Sequence, residues 1–136
     1  AFDTVFQAQI KLGEHIKKEW IKGARMKTVK YKWNGKEQEK QEYYNGKVRG
    51  LDGRKILIRT EKDILVYTVQ SDEALTMQYA TVLANRKLDS KYKEGVQWKQ
   101  VGFFHDEFTF EVEPEIAEDA KIMLEDSIEE AGAYFK

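Results

Sequence analysis

The segment Phe103-Phe104-His105-Asp106-Glu107-Phe108-Thr109-Phe110-Glu111-Val112 restricts what this chain can fold into more than any other stretch. Phe108, Phe110 and Val112 alternate with Glu107, Thr109 and Glu111, the period-2 pattern of a half-buried strand. An apolar, aromatic-rich run also precedes the two carboxylates. Asp106 and Glu107 are therefore expected at or beside the turn of a β-hairpin, with strands near 97–104 and 107–112. Carboxylates buried at such a turn are costly without a counter-charge, and a divalent metal is the usual one. Mg²⁺ fits, as a hard cation that keeps several waters and is shared with phosphate oxygens. Adjacent residues point in different directions, so a two-metal site needs a further carboxylate from another strand. Asp106 is the better ligand and Glu107 the peripheral one. His105 either meets a phosphate or sugar or simply partners the acids, and a charged, solvated hairpin turn is the plainer alternative.

The 136 residues otherwise read as helix, hairpin ribbon, helix, hairpin, helix. This is an α+β arrangement of antiparallel β-hairpins packed with three helices in a single domain. Val5, Gln9, Leu12, Ile16 and Trp20, widened by Phe6, Ile10 and Ile21, predict a helix over 3–24, capped by Asp3 and ended by Gly23. From Met26 the period changes to two. Val29, Tyr31 and Trp33 alternate with Thr28, Lys30 and Lys32, Asn34-Gly35 makes a hairpin turn, and 38–44 returns. Asn45-Gly46 then leads to Lys47-Val48-Arg49, and Asp52-Gly53 turns the chain into 55–59, completing a basic β ribbon over 26–60. Thr60-Glu61-Lys62-Asp63 has the spacing of a helix cap. Ile64 to Val69 has strand propensity, yet Leu65, Val69, Asp72, Leu75 or Thr76, Tyr79 and Val82 or Leu83 recur at helical spacing. One helix from 61 to about 90 is expected. Pro114 opens a last helix with the stripe Ile116, Ala120, Met123, Leu124, Ile128 and Ala131.

The net charge of -1 conceals an asymmetry. Residues 11–62 hold 16 Lys or Arg against 7 Asp or Glu, a net of +9, whereas residues 105–130 hold 11 acids against Lys121 alone, a net of -10. A basic half facing a polyanion and an acidic half holding metals is one reading, and two solvated faces are the other. The absence of cysteine excludes disulfides, thiolate zinc sites and thiol nucleophiles, and fits a reducing compartment. No apolar stretch approaches the roughly 18 residues of a membrane span, and no signal peptide is readable, so no membrane partner is expected. The chain opens at Ala1 rather than methionine, as expected of a processed product, a trimmed chain or the C-terminal part of something longer.

Three signatures in order give the chain a family resemblance. Phe104-His105-Asp106-Glu107-Phe108-Thr109-Phe110-Glu111-Val112 looks like the last polymerase motif of the family A (Pol I-like) DNA polymerases, a His-Asp-Glu turn between hydrophobic strands. Gly50-Leu51-Asp52-Gly53-Arg54-Lys55 is similar to that family's upstream turn. Gln70, followed by Ser71 and Ala74, matches the start of its palm helix. The resemblance covers roughly 47–131 and points to the C-terminal palm portion of the phage-type members, with the palm helix, catalytic hairpin and last helix over 61–131. It implies that His105 lies near the primer terminus, that Asp106 is a catalytic Mg²⁺ ligand and that Glu107 supports it. Gln70 would touch the minor groove, whose acceptors are nearly degenerate across base pairs. Arg54 would face the DNA backbone, and Lys47, Arg49, Lys55 and Lys62, with Lys30 and Lys32, are further candidates for backbone contact.

The departures bear on function. Val66 stands where the family carries an asparagine, and Lys62 replaces an arginine, keeping the charge but losing the planar fork. The family's upstream metal-binding aspartate and its fingers helix with the triphosphate-binding lysine are absent, and the basic hairpin over 26–45 has no recognised counterpart in the resemblance. The resemblance therefore implies a two-metal site completed by an aspartate outside this chain. Primer-template DNA and deoxynucleoside triphosphates are the expected substrates, and an N-terminal polymerase polypeptide or region the expected partner. The implied setting is the cytoplasm of a phage-infected bacterial host. A nucleic-acid-binding or replication-accessory module that keeps the palm shape without catalysis is the alternative.

Overall fold

Trp20 organises the first half of the fold. The computed structural model describes residues 2–135 without the side chains of Phe2, Asp3 and Phe6, so the expected Asp3 cap and the stripe position of Phe6 lie outside the described residues. Two compact units divide the chain, Ala1–Ser71 and Asp72–Lys136. In the first, α1 (Phe2–Gly23) delivers Ile16 and Trp20 to a cluster with Val48, Ile58 and Ile64. The Trp20 indole N–H donates to the Ile58 carbonyl at 2.9 Å, which satisfies the one polar atom of a wholly buried ring. Val5, Ile10 and Leu12, earlier on the expected stripe, remain exposed.

The ribbon forms as two separate antiparallel hairpins. β1 (Arg25–Trp33) pairs with β2 (Lys36–Tyr44) in unbroken register, Arg25 opposite Tyr44 through Trp33 opposite Lys36. Asn34 and Gly35 both have positive φ (49° and 76°), as a two-residue turn matching the strand twist requires. β3 (Gly46–Arg49) pairs with β4 (Lys55–Ile58), turning Val48 and Ile58 into the cluster while Lys47, Arg49, Lys55 and Leu57 face outward. A 3₁₀ turn, Glu61–Asp63, precedes α2 (Ile64–Lys91). The expected helix cap is replaced here: Thr60 is extended and its hydroxyl donates to the Asp63 carboxylate instead of accepting a backbone N–H. The helix itself forms as expected, because the β-branched stretch meets no breaker, but its buried positions are Ile64, Met77, Ala80, Leu83, Ala84 and Leu88, while Val69 and Val82 of the expected stripe are exposed.

In the second unit, β5 (Trp98–Phe104) and β6 (Glu107–Val112) form the third hairpin. Phe110 and Val112 pack on a cluster of Leu88, Trp98, Ile116 and Ala120, and Phe108 on a cluster of Ala80, Leu83 and Ala131. After a 3₁₀ turn at Pro114–Ile116, α3 (Ala117–Tyr134) supplies Ala120 and Ala131. Its buried face differs from the expected stripe at one point. Ser127 is wholly buried and Ile128 is 40% exposed. The Ser127 hydroxyl donates to the Met123 carbonyl at 2.6 Å, so this polar residue enters the interior satisfied by its own helix. The α+β class with three helices and antiparallel hairpins is as expected. No helix among the described residues is long and apolar enough to cross a membrane.

Candidate functional site

The pairing of β5 with β6 runs to Phe104 opposite Glu107, leaving His105 and Asp106 as the turn. The strands lie where the sequence places them, within a residue of 97–104 and over 107–112, with Asp106 in the turn and Glu107 beside it. The inward alternation of Phe108, Phe110 and Val112 fixes the register, and Glu107 becomes the first residue of β6. His105 adopts φ 54°, in the left-handed region that non-glycine residues seldom enter and that histidine enters more often than most. Further back, the register shifts between Gln100 and Gly102, so Val101 bulges out of the ladder, which sharpens the local twist.

His105, Asp106 and Glu107 are all exposed. The His105 ring stands edge-on to Phe104 with centroids 4.3 Å apart, and Glu107 accepts a hydrogen bond from the Thr109 hydroxyl at 3.3 Å. Neither carboxylate makes an ion pair among the described residues, so water, not a cation of the chain, carries the cost expected of buried acids. No group of three or more His, Asp or Glu side chains among the described residues lies close enough to hold a metal. The donors are chemically suited to Mg²⁺, being hard, accessible oxygens, and two of them are fewer than a two-metal site requires.

The residues expected to contact DNA lie in the first unit. Lys47, Arg49 and Lys55 share the outward face of the β3–β4 hairpin, with Arg49 directly opposite Lys55. The Arg49 backbone N–H donates to Glu19 at 3.1 Å, which ties this hairpin to α1. Arg54 is differently engaged: its guanidinium pairs with Asp52, and its backbone N–H donates to the same carboxylate at 3.0 Å. That backbone bond first, and the guanidinium after it, hold the Asp52 carboxyl below its usual range. Arg54 thus locks its own turn. Lys62 and Gln70 are exposed, on the 3₁₀ turn and on α2.

The Gly50-to-Lys55 turn and the start of α2 come together. A β-carbon at Gly50 would lie 3.6 Å from the Ser71 hydroxyl, next in sequence to Gln70. Neither composition nor periodicity signals this meeting, which depends on tertiary packing of a buried glycine.

No protein-family model matches the chain. It is similar to the DNA polymerase I of Aquifex aeolicus (strain VF5), with 36% identity over 89 residues, which make up 64% of this chain and 15% of that protein. The chain therefore spans a small part of its relative's length. The similarity is consistent with the DNA polymerase I superfamily, and the relative is bacterial.

Proposed function

We propose that this chain is the C-terminal, palm-type part of a DNA-directed DNA polymerase of phage type and is inactive without an N-terminal part. The observation that carries the reading is the similarity to DNA polymerase I over 64% of the chain, in a sequence whose His105-Asp106-Glu107 stands exposed at a hairpin tip. The reaction is attack of a primer 3′-hydroxyl on the α-phosphate of a deoxynucleoside triphosphate, with pyrophosphate leaving. Asp106 would hold Mg²⁺ with Glu107 in support, and an aspartate from the N-terminal part would complete the set. A metal pair held by these residues would supply a lowered pKa at the 3′-hydroxyl and charge stabilisation at the phosphorus. His105 lies at the primer terminus, and Gln70 senses minor-groove shape. Lys47, Arg49, Lys55 and Lys62 hold the backbone, while Arg54 contributes by fixing the turn beside α2 and through its charge. The two units work as one functional domain, in the cytoplasm of a phage-infected bacterium.

A second reading, a noncatalytic DNA-binding module, is favoured by the pair of carboxylates standing without a third acid among the described residues. Primer extension separates the two. The chain mixed with a candidate N-terminal polypeptide should incorporate nucleotides, and neither should do so alone. Asp106→Ala should lower turnover by roughly a hundredfold or more while primer-template affinity changes little, since the carboxylate acts mainly in the transition state. Glu107→Ala should cost less. Steady incorporation by the chain alone, surviving Asp106→Ala, overturns the assignment, and DNA binding without incorporation in any assembly favours the second reading.

A further inference from the structure

The β1–β2 hairpin has no part in the roles assigned above, yet its register sorts its side chains into two faces of unlike chemistry. One face sets Thr28, Lys30 and Lys32 opposite Gln41, Glu39 and Glu37. Its charges cancel, and Lys30 pairs with Glu39 at 3.3 Å, so the two lysines expected from sequence to meet DNA are matched by acids. The other face carries Arg25, Lys27, Lys36 and Lys40 with Glu42 as its single acid. Glu42 is taken by Lys40 at 2.7 Å, which leaves Arg25, Lys27 and Lys36 in excess.

The same face bears Tyr31, Trp33 and Tyr44. Trp33 is 63% exposed, a large apolar area left to solvent, and Tyr31 is 38% exposed. Lys27 lies 5.5 Å from the Tyr44 ring centroid and Lys40 lies 5.7 Å from that of Tyr31, so rings and ammonium groups alternate along the ribbon. At its base the face runs into a hollow whose charged lining is Lys27, Lys40, Glu42, Glu61 and Lys62; Glu42 is paired with Lys40 and Glu61 with Lys17, so Lys62 adds a further cation to the track.

Exposed rings interleaved with cations match single-stranded nucleic acid, whose bases offer open π-faces and whose phosphates follow one another along the strand. A duplex keeps its bases stacked inside and would use only the charges. An acidic peptide would likewise leave Trp33 idle. The nine residues of β1, at about 3.3 Å each, span roughly 30 Å, room for about four nucleotides, the lower end of known single-strand sites. We propose that this face is a binding platform for single-stranded DNA, with Tyr31 and Trp33 stacking on bases and Lys27, Lys36 and Lys62 meeting phosphates. The proposal rests on the nucleic-acid reading of the chain but not on Asp106, so it can fail while primer extension succeeds, and the reverse.

The three tryptophans make the test direct. Trp20 and Trp98 are buried at 0% and 3% exposure, so quenching of intrinsic fluorescence by added DNA reports Trp33. The full chain titrated with a short oligothymidylate at low salt should show saturable quenching, at least about tenfold tighter than with duplex of equal length. By anisotropy of the labelled strand, Tyr31→Ala with Trp33→Ala should weaken binding about tenfold or more. Lys27→Glu with Lys36→Glu should do the same, whereas Lys30→Glu with Lys32→Glu, an equal charge change on the opposite face, should cost under about threefold. Circular dichroism should be unchanged, all these side chains being exposed. Equal losses from the two lysine pairs, equal affinity for duplex, or no quenching would each overturn the platform.

Discussion

Gly46 shows what a single position controls in this chain. A β-carbon there would collide with Cδ1 and Nε1 of Trp20, the atoms that place the indole N–H on the Ile58 carbonyl. Gly46→Ala should therefore destabilise the first unit by about 1–3 kcal/mol, the usual cost of overpacking. Trp20→Phe keeps most of the apolar area but leaves the Ile58 carbonyl unsatisfied, at about 1–3 kcal/mol. Urea unfolding followed by far-UV circular dichroism checks both, and a midpoint unmoved by Gly46→Ala would show that the indole can step aside. His105 is the contrasting case. Its φ of 54° strains a non-glycine residue by about 1 kcal/mol, so His105→Gly should hold or slightly raise stability. If the ring serves the primer terminus, the same change should lower turnover of the assembled enzyme. A fall in stability with activity intact would make the histidine merely structural.

At the scale of elements, the sequence was most legible where a local device sets the outcome. Asn34-Gly35 needs no tertiary context to turn, and the Phe108-Phe110-Val112 alternation fixes which side of β6 faces inward. Legibility failed where competing local bonds or tertiary packing decide. Thr60 chose the Asp63 carboxylate over a backbone N–H, and Ser127 entered the interior on its own Met123 bond. The join between α2 and α3 was equally invisible. There Asp119 accepts from Lys91 at 2.6 Å and from the Tyr92 hydroxyl at 2.5 Å. Lys91 first, then Tyr92, holds the Asp119 carboxyl below its usual range, and the same carboxylate raises Lys91 and Tyr92. The signs then follow. The Asp119 contribution is present above its unfolded pKa of about 3.9 and is lost as pH falls through the lower folded value. Those of Lys91 and Tyr92 are present below about 10 and are lost as pH rises through their raised folded values. Thermal unfolding scanned over pH should show a plateau between these limits, and Asp119→Asn should flatten both edges. An acid edge unchanged in that variant would place the titration elsewhere.

For the whole molecule, a net charge of -1 forecasts almost no affinity for a polyanion, and its distribution forecasts the opposite. The excess of +9 over residues 11–62 falls in the first unit and the deficit of -10 over residues 105–130 in the second. Because charges separated by more than about 10 Å are largely screened near 0.1 M salt, a phosphate at the basic face senses its nearby lysines and not the molecular total. The full chain should accordingly bind duplex and primer-template DNA without sequence preference. Its log affinity should fall with log salt at a slope of about 0.9 per phosphate neutralised. Lys47 and Lys55 are exposed on the outward face of one hairpin, and neither is held by an ion pair among the described residues. Replacing each with alanine should weaken all sequences alike and reduce the slope by about one per contact. Arg54 should behave differently. Its guanidinium is engaged with Asp52, so Arg54→Ala should loosen the turn and alter the slope by less than a lysine does. Fluorescence titrations at several salt concentrations decide between these outcomes. A slope near zero, or one that Lys47→Ala and Lys55→Ala leave untouched, would mean that the positive face is only solvated and that DNA is held elsewhere.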